Sequence, residues 1–485
     1  MVTFGYNTGM KVFLAALLLL LSSCAQNPVT GGRDFVMLSA EQEIKAGQEA
    51  DPQIRRQFGV YEDAELQEYV NEIGQKLAKA SHRPDLDWHF TALDSPDINA
   101  FALPGGYIYL TRGILAYLNS EAELAAVLGH EIGHVTARHS VQQMSKAQAA
   151  GIAAVLGSIF VPELRSAAGQ QAINAIGGAL LAGYGREDEL EADRLGAQYL
   201  ARNGYDPQAM VRVVSALKDQ ELFDAEIAKQ EGREPRRYHG LFATHPDNDT
   251  RLKEVVAEAG KVAATGREEN RAAYFERIDD VVFGDSAAQG IVCDGGFYHA
   301  DLGLALKFPK GWRIRNTPAK VQAQNAKGDA VMELLAVPPQ ATPEQSLKKA
   351  IRAGFGTEVR SISINGLPAA ITTTAASGRP ARVAAIHLGD KAFLFGAIAA
   401  NGSAMKGIAS EVDESISSFH AITAEERKLA EPRTLQTITA KAGTRFSELA
   451  RASVLDKHAE AQLRLINAFY PEGEPTPGQK LKVVQ

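Results

Sequence analysis

At 485 residues, with 45% hydrophobic and 22% charged side chains, the chain has the composition of ordinary globular protein and the length for two to four domains. A formal charge of −7 and only short basic clusters, the densest from Arg233 to Arg237, argue against a nucleic-acid partner. Two cysteines, Cys24 and Cys293, exclude a disulfide-built scaffold.

Met10-Lys11-Val12 opens an apolar run that ends at Leu21-Ser22-Ser23-Cys24. The run is too short to cross a bilayer comfortably and reads as a signal-peptide core. Residues 1–9 carry no charged side chain, so either Met1 or Met10 could start translation. A Cys after small residues at this point resembles a bacterial lipobox, which implies cleavage before Cys24 and lipid attachment there. By resemblance to lipoprotein sorting in Gram-negative bacteria, Ala25 at the next position implies the outer membrane, facing the periplasm. Acyl chains anchor a protein without spanning. Cys293, beside Ile291 and Val292, then has no partner and reads as an inert core thiol.

Asn27-Pro28-Val29-Thr30-Gly31 is turn-rich, and a helix follows it toward residue 60. Leu66, Tyr69, Val70, Ile73 and Leu77 predict a second helix over 64–82. Trp88 to Leu93 is strand-like, and a second extended segment runs from Asp97 to Leu110. Ser120-Glu121-Ala122-Glu123 then starts a helix predicted over 121–148, with Leu124, Val127 and Leu128 as its apolar stripe. On it lies His130-Glu131-Ile132-Gly133-His134, an H-E-x-x-H pattern. Histidines four apart share a helix face and can share one metal ion, and Glu131 beside them can act as general base toward water.

Residues 149–184 carry two apolar arms, Ala149 to Val161 and Ala172 to Leu181, each too short to span a bilayer. They read as a buried helical hairpin, or as a lid over the cleft. Arg186-Glu187-Asp188-Glu189-Leu190-Glu191-Ala192-Asp193 follows on a helix running to about Arg202. Catalytic zinc takes three protein ligands and keeps one open position. Glu189 can be the third ligand, and Asp193, one turn on, can hold a ligand histidine in its tautomer. His139 reads as supporting or structural, because metzincins place their third histidine one position later and a glycine where Ala137 stands. His245 precedes Pro246, which forces its backbone out of the helical region, and Asp247 or Asn248 can cap a helix containing Arg251. A histidine so held can donate to the oxyanion at the scissile carbonyl or occupy the open metal position.

From about residue 285 the pattern changes to strands at Leu304–Phe308, Ala330–Val337, Ala369–Thr374, Val383–Leu388 and Ala392–Ala399, with helices at Pro343–Ala353 and Ala404–Phe419. This predicts a small α+β unit with an antiparallel sheet. Residues 433–485 read strand, helix, helix, strand, closing on Pro477-Gly478-Gln479-Lys480-Leu481.

HEIGHVTARH followed by REDELEAD resembles the gluzincin metallopeptidases that include the CAAX prenyl proteases and HtpX, nearest the branch of periplasmic BepA-like lipoproteins. Asp97 to Leu110 resembles that family's strand before the zinc helix, and Thr244-His245-Pro246 with Arg251 its later motif. The likeness covers roughly residues 27–280 and departs at Gly185, where many relatives have Ser. It implies metal ligands His130, His134 and Glu189 for one Zn2+ per chain, catalytic residues Glu131, His245 and Arg251, and Asp193 in support. It also implies that His245 could close the open zinc position until displaced. Residues 285–425 faintly resemble a PsbP-type fold, and residues 430–485 a LysM module, which binds N-acetylglucosamine polymers.

The reading is therefore an α+β protein in four parts. Residues 1–24 are a lipoprotein signal peptide, and 25–284 a mainly helical zincin-type metallopeptidase domain. Residues 285–425 form the small PsbP-like domain and 430–485 the LysM-like βααβ module. The expected function is zinc-dependent endopeptidase action in the bacterial envelope on unfolded or misassembled outer-membrane proteins. The protein would be lipid-anchored at Cys24, with peptidoglycan or the outer-membrane assembly machinery as further partners. Two other readings stay open: a chaperone-like assembly factor with a mostly silent metal site, and a cell-wall peptide hydrolase.

Overall fold

A computed structural model describes residues 24–146, 184–231, 268–351, 358–455 and 457–485. The signal segment up to residue 23, the two apolar arms, His245 and Arg251 lie outside the described residues.

The chain enters through a hairpin, β1 (Cys24–Gln26) and β2 (Arg33–Phe35). Ser39 caps α1 (Ala40–Phe58) in a reciprocal capping box with Gln42, and Asp63 caps α2 (Ala64–Lys79) by accepting from the Leu66 N–H. Helix α2 buries the stripe Leu66, Val70, Ile73 and Leu77. A three-stranded sheet follows, in order β3-β5-β4, from β3 (His89–Leu93), β4 (Ala100–Leu103) and β5 (Tyr107–Thr111). The extended Asp97–Leu110 segment is thus a hairpin, turned at Gly105 and Gly106 with φ of 81° and 93°. Strands β3 and β4 are the sheet's two edges.

After the short α3 (Arg112–Leu115) comes α4 (Glu121–Thr136), capped by Ser120 and buried along its whole length. Its neighbours supply the reason: it packs against α2, β4 and two later helices, α5 (Arg186–Arg202) and α6 (Gln208–Glu231). The predicted single helix over 121–148 does not form. The chain breaks at Ala137–Arg138, and helix resumes over 139–146. Arg138 takes a left-handed φ of 61°, and its Nε donates to buried Glu43 Oε2 at 2.9 Å, so a tertiary ion pair overrides the helical pattern.

Helices α4 and α5 meet through small residues. A Cβ on Gly133 would lie 2.9 Å from the Ala192 carbonyl oxygen, and one on Gly196 3.0 Å from the His130 nitrogen. Only side chains this small let the two backbones approach so closely.

After α7 (Arg271–Arg277) and β6 (Val282–Phe283), a separate apolar core forms over residues 297–419. Strands β7 (Ile291–Cys293), β8 (Gly296–His299) and β9 (Leu304–Lys307) are three of the four strands of a small sheet, which a later strand completes beside β9. Strands β10 (Arg313–Thr317), β11 (Lys320–Gln324) and β12 (Ala330–Val337) belong to a seven-stranded antiparallel sheet. Helix α8 (Pro343–Ala350) comes next. The sheet is completed by β13 (Arg360–Ile364), β14 (Leu367–Ala376), β15 (Arg379–Leu388) and β16 (Lys391–Ala399), in order β10-β11-β12-β16-β15-β14-β13. Leu347 of α8 packs on Ala370 and Ala385 on one face. On the other face, α9 (Gly402–Ser418) sets Ile408, Val412 and Ile416 against Phe393 and Phe395. Cys293 is half-buried at the rim of a small cluster with Tyr298, rather than deep in the core.

The chain then runs through β17 (His420–Ala421) and α10 (Glu426–Leu429) into β18 (Arg433–Thr439), α11 (Phe446–Ala452), α12 (Ala459–Ile466) and β19 (Lys480–Val484). Strand β18 pairs with β19 and, on its other side, with β6. Leu435, Phe446, Leu463, Ile466, Leu481 and Val484 belong to the same apolar core as α4 and α6.

Candidate metal centre

The two histidines of α4 lie one turn apart, and α5 crosses them at the glycine contact just described. Three donor atoms converge: His130 Nε2 and His134 Nε2 are 3.0 Å apart, and the Glu189 oxygens lie 3.6 and 3.5 Å from them. Among the described residues this His-His-Glu set is the cluster that could hold a metal ion. Tetrahedral zinc with bonds of about 2.0–2.1 Å to N or O separates its donors by about 3.3 Å. The observed spacings of 3.0, 3.6 and 3.5 Å straddle that value, so the residues fit such an ion after small side-chain adjustments. Charge fits as well: Glu131, Glu189 and Asp193 are all buried here, at 1, 0 and 2% exposure. Three carboxylates out of water favour a nearby divalent cation.

Supporting contacts set the ligand orientations. Asp193 Oδ1 lies 2.8 Å from His130 Nδ1, which turns that ring's Nε2 to the centre. His134 Nδ1 faces His139 Nδ1 at 2.9 Å, and His139 Nε2 faces Glu191 Oε2 at 3.3 Å. The hydrogen bond from His139 holds the Glu191 carboxyl below the ordinary carboxylate range. Tyr184 stacks on the His134 ring, with centroids 4.0 Å apart and planes at 17°, and its hydroxyl meets Ser140 Oγ at 2.5 Å. Burial pushes the Tyr184 phenol well up, and the nearby Glu131 and Glu189 charges add to this.

Of the residues predicted from sequence, the structure brings together His130, Glu131, His134, Glu189 and Asp193. Gly185 precedes helix α5 as its N-cap, and its N–H donates to Asp188 Oδ2 at 3.2 Å, so the helix is capped without a Ser. Cys24 opens β1, opposite Phe35 of β2. Sequence reasoning missed Tyr184, Ser140 and Glu191. Glu191 had a signal, since it lies two residues after Glu189 in the acid-rich stretch from Glu187 to Asp193, but nothing in the sequence marks Tyr184.

Comparison with known proteins adds the following. Residues 64–259 match the model of peptidase family M48. The chain is 31% identical over 231 residues to the beta-barrel assembly-enhancing protease of Escherichia coli K12, covering 46% of this chain and 45% of that one. The protein of the same description from Yersinia pestis is 32% identical over 241 residues, covering 48% and 47%. The mitochondrial metalloendopeptidase OMA1 of Schizosaccharomyces pombe is 28% identical over 233 residues, covering 47% and 64%. The chain thus spans about half the length of the bacterial relatives it matches. The solution structure of cyanobacterial PsbP from Synechocystis covers 28% of this chain and 94% of that one at 13% identity, with a TM-score of 0.22, too low to carry a fold assignment. Among the described residues no helix is long and apolar enough to cross a membrane.

Proposed function

We propose that the protein is a zinc-dependent endopeptidase of the bacterial envelope, a reading supported by the match of residues 64–259 to the model of peptidase family M48. One observation carries the reading: imidazoles from α4 and a carboxylate from α5 meet with metal-ligand spacing. His130, His134 and Glu189 would hold the ion. Zinc, when bound, supplies Lewis acidity toward the scissile carbonyl and the attacking water. Glu131 takes the proton from that water and passes it to the leaving amine. Asp193 keeps the His130 ring aligned during these transfers. Edge strand β4 offers backbone groups on which an extended substrate can pair by strand addition.

The description of the bacterial relatives as beta-barrel assembly-enhancing proteases supports misassembled outer-membrane proteins as the substrate class. Lipid attachment at Cys24 would place the enzyme on the periplasmic face of the outer membrane. His245 would act at the open zinc position, as blocker or as oxyanion donor, with Arg251 beside it in sequence. The module at 430–485 would bind peptidoglycan or dock an assembly partner.

Metal analysis beside casein digestion tests the central claim. The expected result is one zinc per chain, cleavage by wild type, and loss of cleavage by about 100-fold or more in Glu131→Gln with zinc retained. A wild-type protein with neither zinc nor cleavage overturns the reading.

A further inference from the structure

We propose that His139 and Glu191 are positioning residues that fix the tautomer of the ligand His134 through a direct imidazole–imidazole hydrogen bond. The inference rests on the metal reading above. His134 presents Nε2 to the other donors, at 3.0 Å from His130 and 3.5 Å from Glu189. Its proton therefore sits on Nδ1, which lies 2.9 Å from His139 Nδ1. Two nitrogens in contact cannot both donate, so His139 accepts at Nδ1 and carries its own proton on Nε2. That Nε2 faces Glu191 Oε2 at 3.3 Å, with Asp188 Oδ1 at 3.8 Å. One consistent proton arrangement satisfies the chain from Glu191 through His139 to His134. Each histidine ligand then has a carboxylate behind it: Asp193 directly behind His130, and Glu191 behind His134 through an intervening ring.

The backbone was bent to make this contact. On a straight helix, a residue five positions on lies about 140° round from its partner. His139 would face away from His134. The left-handed Arg138, with φ of 61°, breaks the helix and returns His139 to the ligand's face. A non-glycine residue in that region costs on the order of 1–3 kcal/mol and is kept where its surroundings determine it. Here the surroundings are Glu43, which binds the guanidiniums of both Arg138 and Arg83.

The test uses the full chain with His139→Leu, His139→Asn and Glu191→Gln. Leucine fills the space without an acceptor, whereas the asparagine carbonyl can accept from His134 Nδ1. Zinc affinity is read by chelator competition, and ring-nitrogen shifts of the histidines by NMR with and without zinc. The expected results are a loss of zinc affinity on the order of 10–100-fold in His139→Leu, a smaller loss in Glu191→Gln, and partial recovery in His139→Asn. Activity should fall in kcat rather than KM, and the unfolding temperature of the zinc-free protein should stay near wild type in the asparagine variant. A proton on His139 Nδ1, or zinc affinity in His139→Leu within twofold of wild type, overturns the proposal. A wild-type protein that takes up no zinc overturns the peptidase reading instead, and the ring-nitrogen shifts of the zinc-free protein then decide the tautomer alone.

Discussion

Replacing Gly133 by alanine should keep the fold and weaken the metal site. In isolation the change favours the helix by about 1 kcal/mol. The new methyl, however, would sit 2.9 Å from the Ala192 carbonyl oxygen and 3.0 Å from its Cα. Both are backbone atoms of α5 and cannot rotate aside. Reaching an ordinary 3.4 Å requires the helices to part by 0.5 Å (3.4 − 2.9) or 0.4 Å (3.4 − 3.0) at this point. Overpacking of this kind costs about 1–3 kcal/mol, so net stability should fall by roughly 0–2 kcal/mol. Glu189 lies one turn before the site of the push, and metal sites tolerate errors of about 0.2 Å. Zinc affinity should therefore fall on the order of 10–100-fold, or about 1.4–2.7 kcal/mol. Gly129→Ala should be milder, because its nearest neighbour is the movable Leu200 Cδ1 at 3.1 Å. Gly407→Ala on α9, with nothing within 4 Å, controls for helix propensity and should not touch zinc. Urea unfolding of the zinc-free proteins and chelator competition give the two numbers. A folded Gly133→Ala protein that binds zinc as tightly as wild type would refute the claim that glycine contacts set the ligand geometry.

Lys482→Met should destabilise by about 3 kcal/mol, because the amine donates to the Ala116 and Leu118 carbonyls at 2.6 and 2.7 Å in a fully buried site. Burial lowers the folded amine well below its ordinary 10.5. Unfolding therefore takes up a proton at alkaline pH, and wild-type stability should rise between pH ~8 and ~10, a rise that the methionine variant lacks in urea titrations. His245→Ala should change casein cleavage strongly, upward if the ring closes the zinc position and downward if it holds the oxyanion; unchanged rates remove it from both roles. Chelation should abolish cleavage and added zinc restore it, and zinc affinity should weaken as pH falls from ~7 toward ~5, since imidazole ligands bind metal only when neutral. Equilibrium dialysis across that range checks the sign.

The His-His-Glu cluster was legible because its information is local. Spacing of four on each of two helices puts His130 with His134, and Glu189 with Asp193, on single faces whatever the rest of the chain does. The stripe of α2 was legible for the same reason. What stayed hidden depends on distant segments. The break at Arg138 is set by Glu43, 95 residues away, against a sequence that continues to read as helix. Strands β10 and β11 went unseen because Arg-Ile-Arg-Asn-Thr and Lys-Val-Gln-Ala-Gln alternate with too few apolar residues to separate from a loop. Lys482 sits in alternation with Leu481 and Val483 and reads as solvent-facing, yet it is wholly buried.

That buried lysine changes how the C-terminal module relates to the metal site. The start of α4 is gripped from four separate stretches of chain. Glu121 accepts from the Tyr69 and Tyr205 hydroxyls at 2.9 and 2.7 Å and from Asn270 Nδ2 at 2.9 Å. Tyr274 donates to the Leu115 carbonyl at 2.7 Å, and Lys482 to the Ala116 and Leu118 carbonyls, in the turn between α3 and α4. Arg212 of α6 reaches Glu123, whose carboxyl burial pushes upward despite the Arg212 charge beside it. None of these groups is a predicted metal ligand, but each fixes α4 or the turn that leads into it, and a metal site is only as rigid as its support. The module is also joined to this body through β18 and β6, and Tyr470 reaches Glu226 of α6 at 3.0 Å. Its last strand therefore holds the turn that leads into α4, whether or not its loops also bind a glycan. Deleting residues 430–485 would expose the core around Tyr274 and Phe275 and cannot be read as the loss of a binding module alone. Point changes in the loops, away from Lys482, are what would isolate glycan binding from support of the turn before α4.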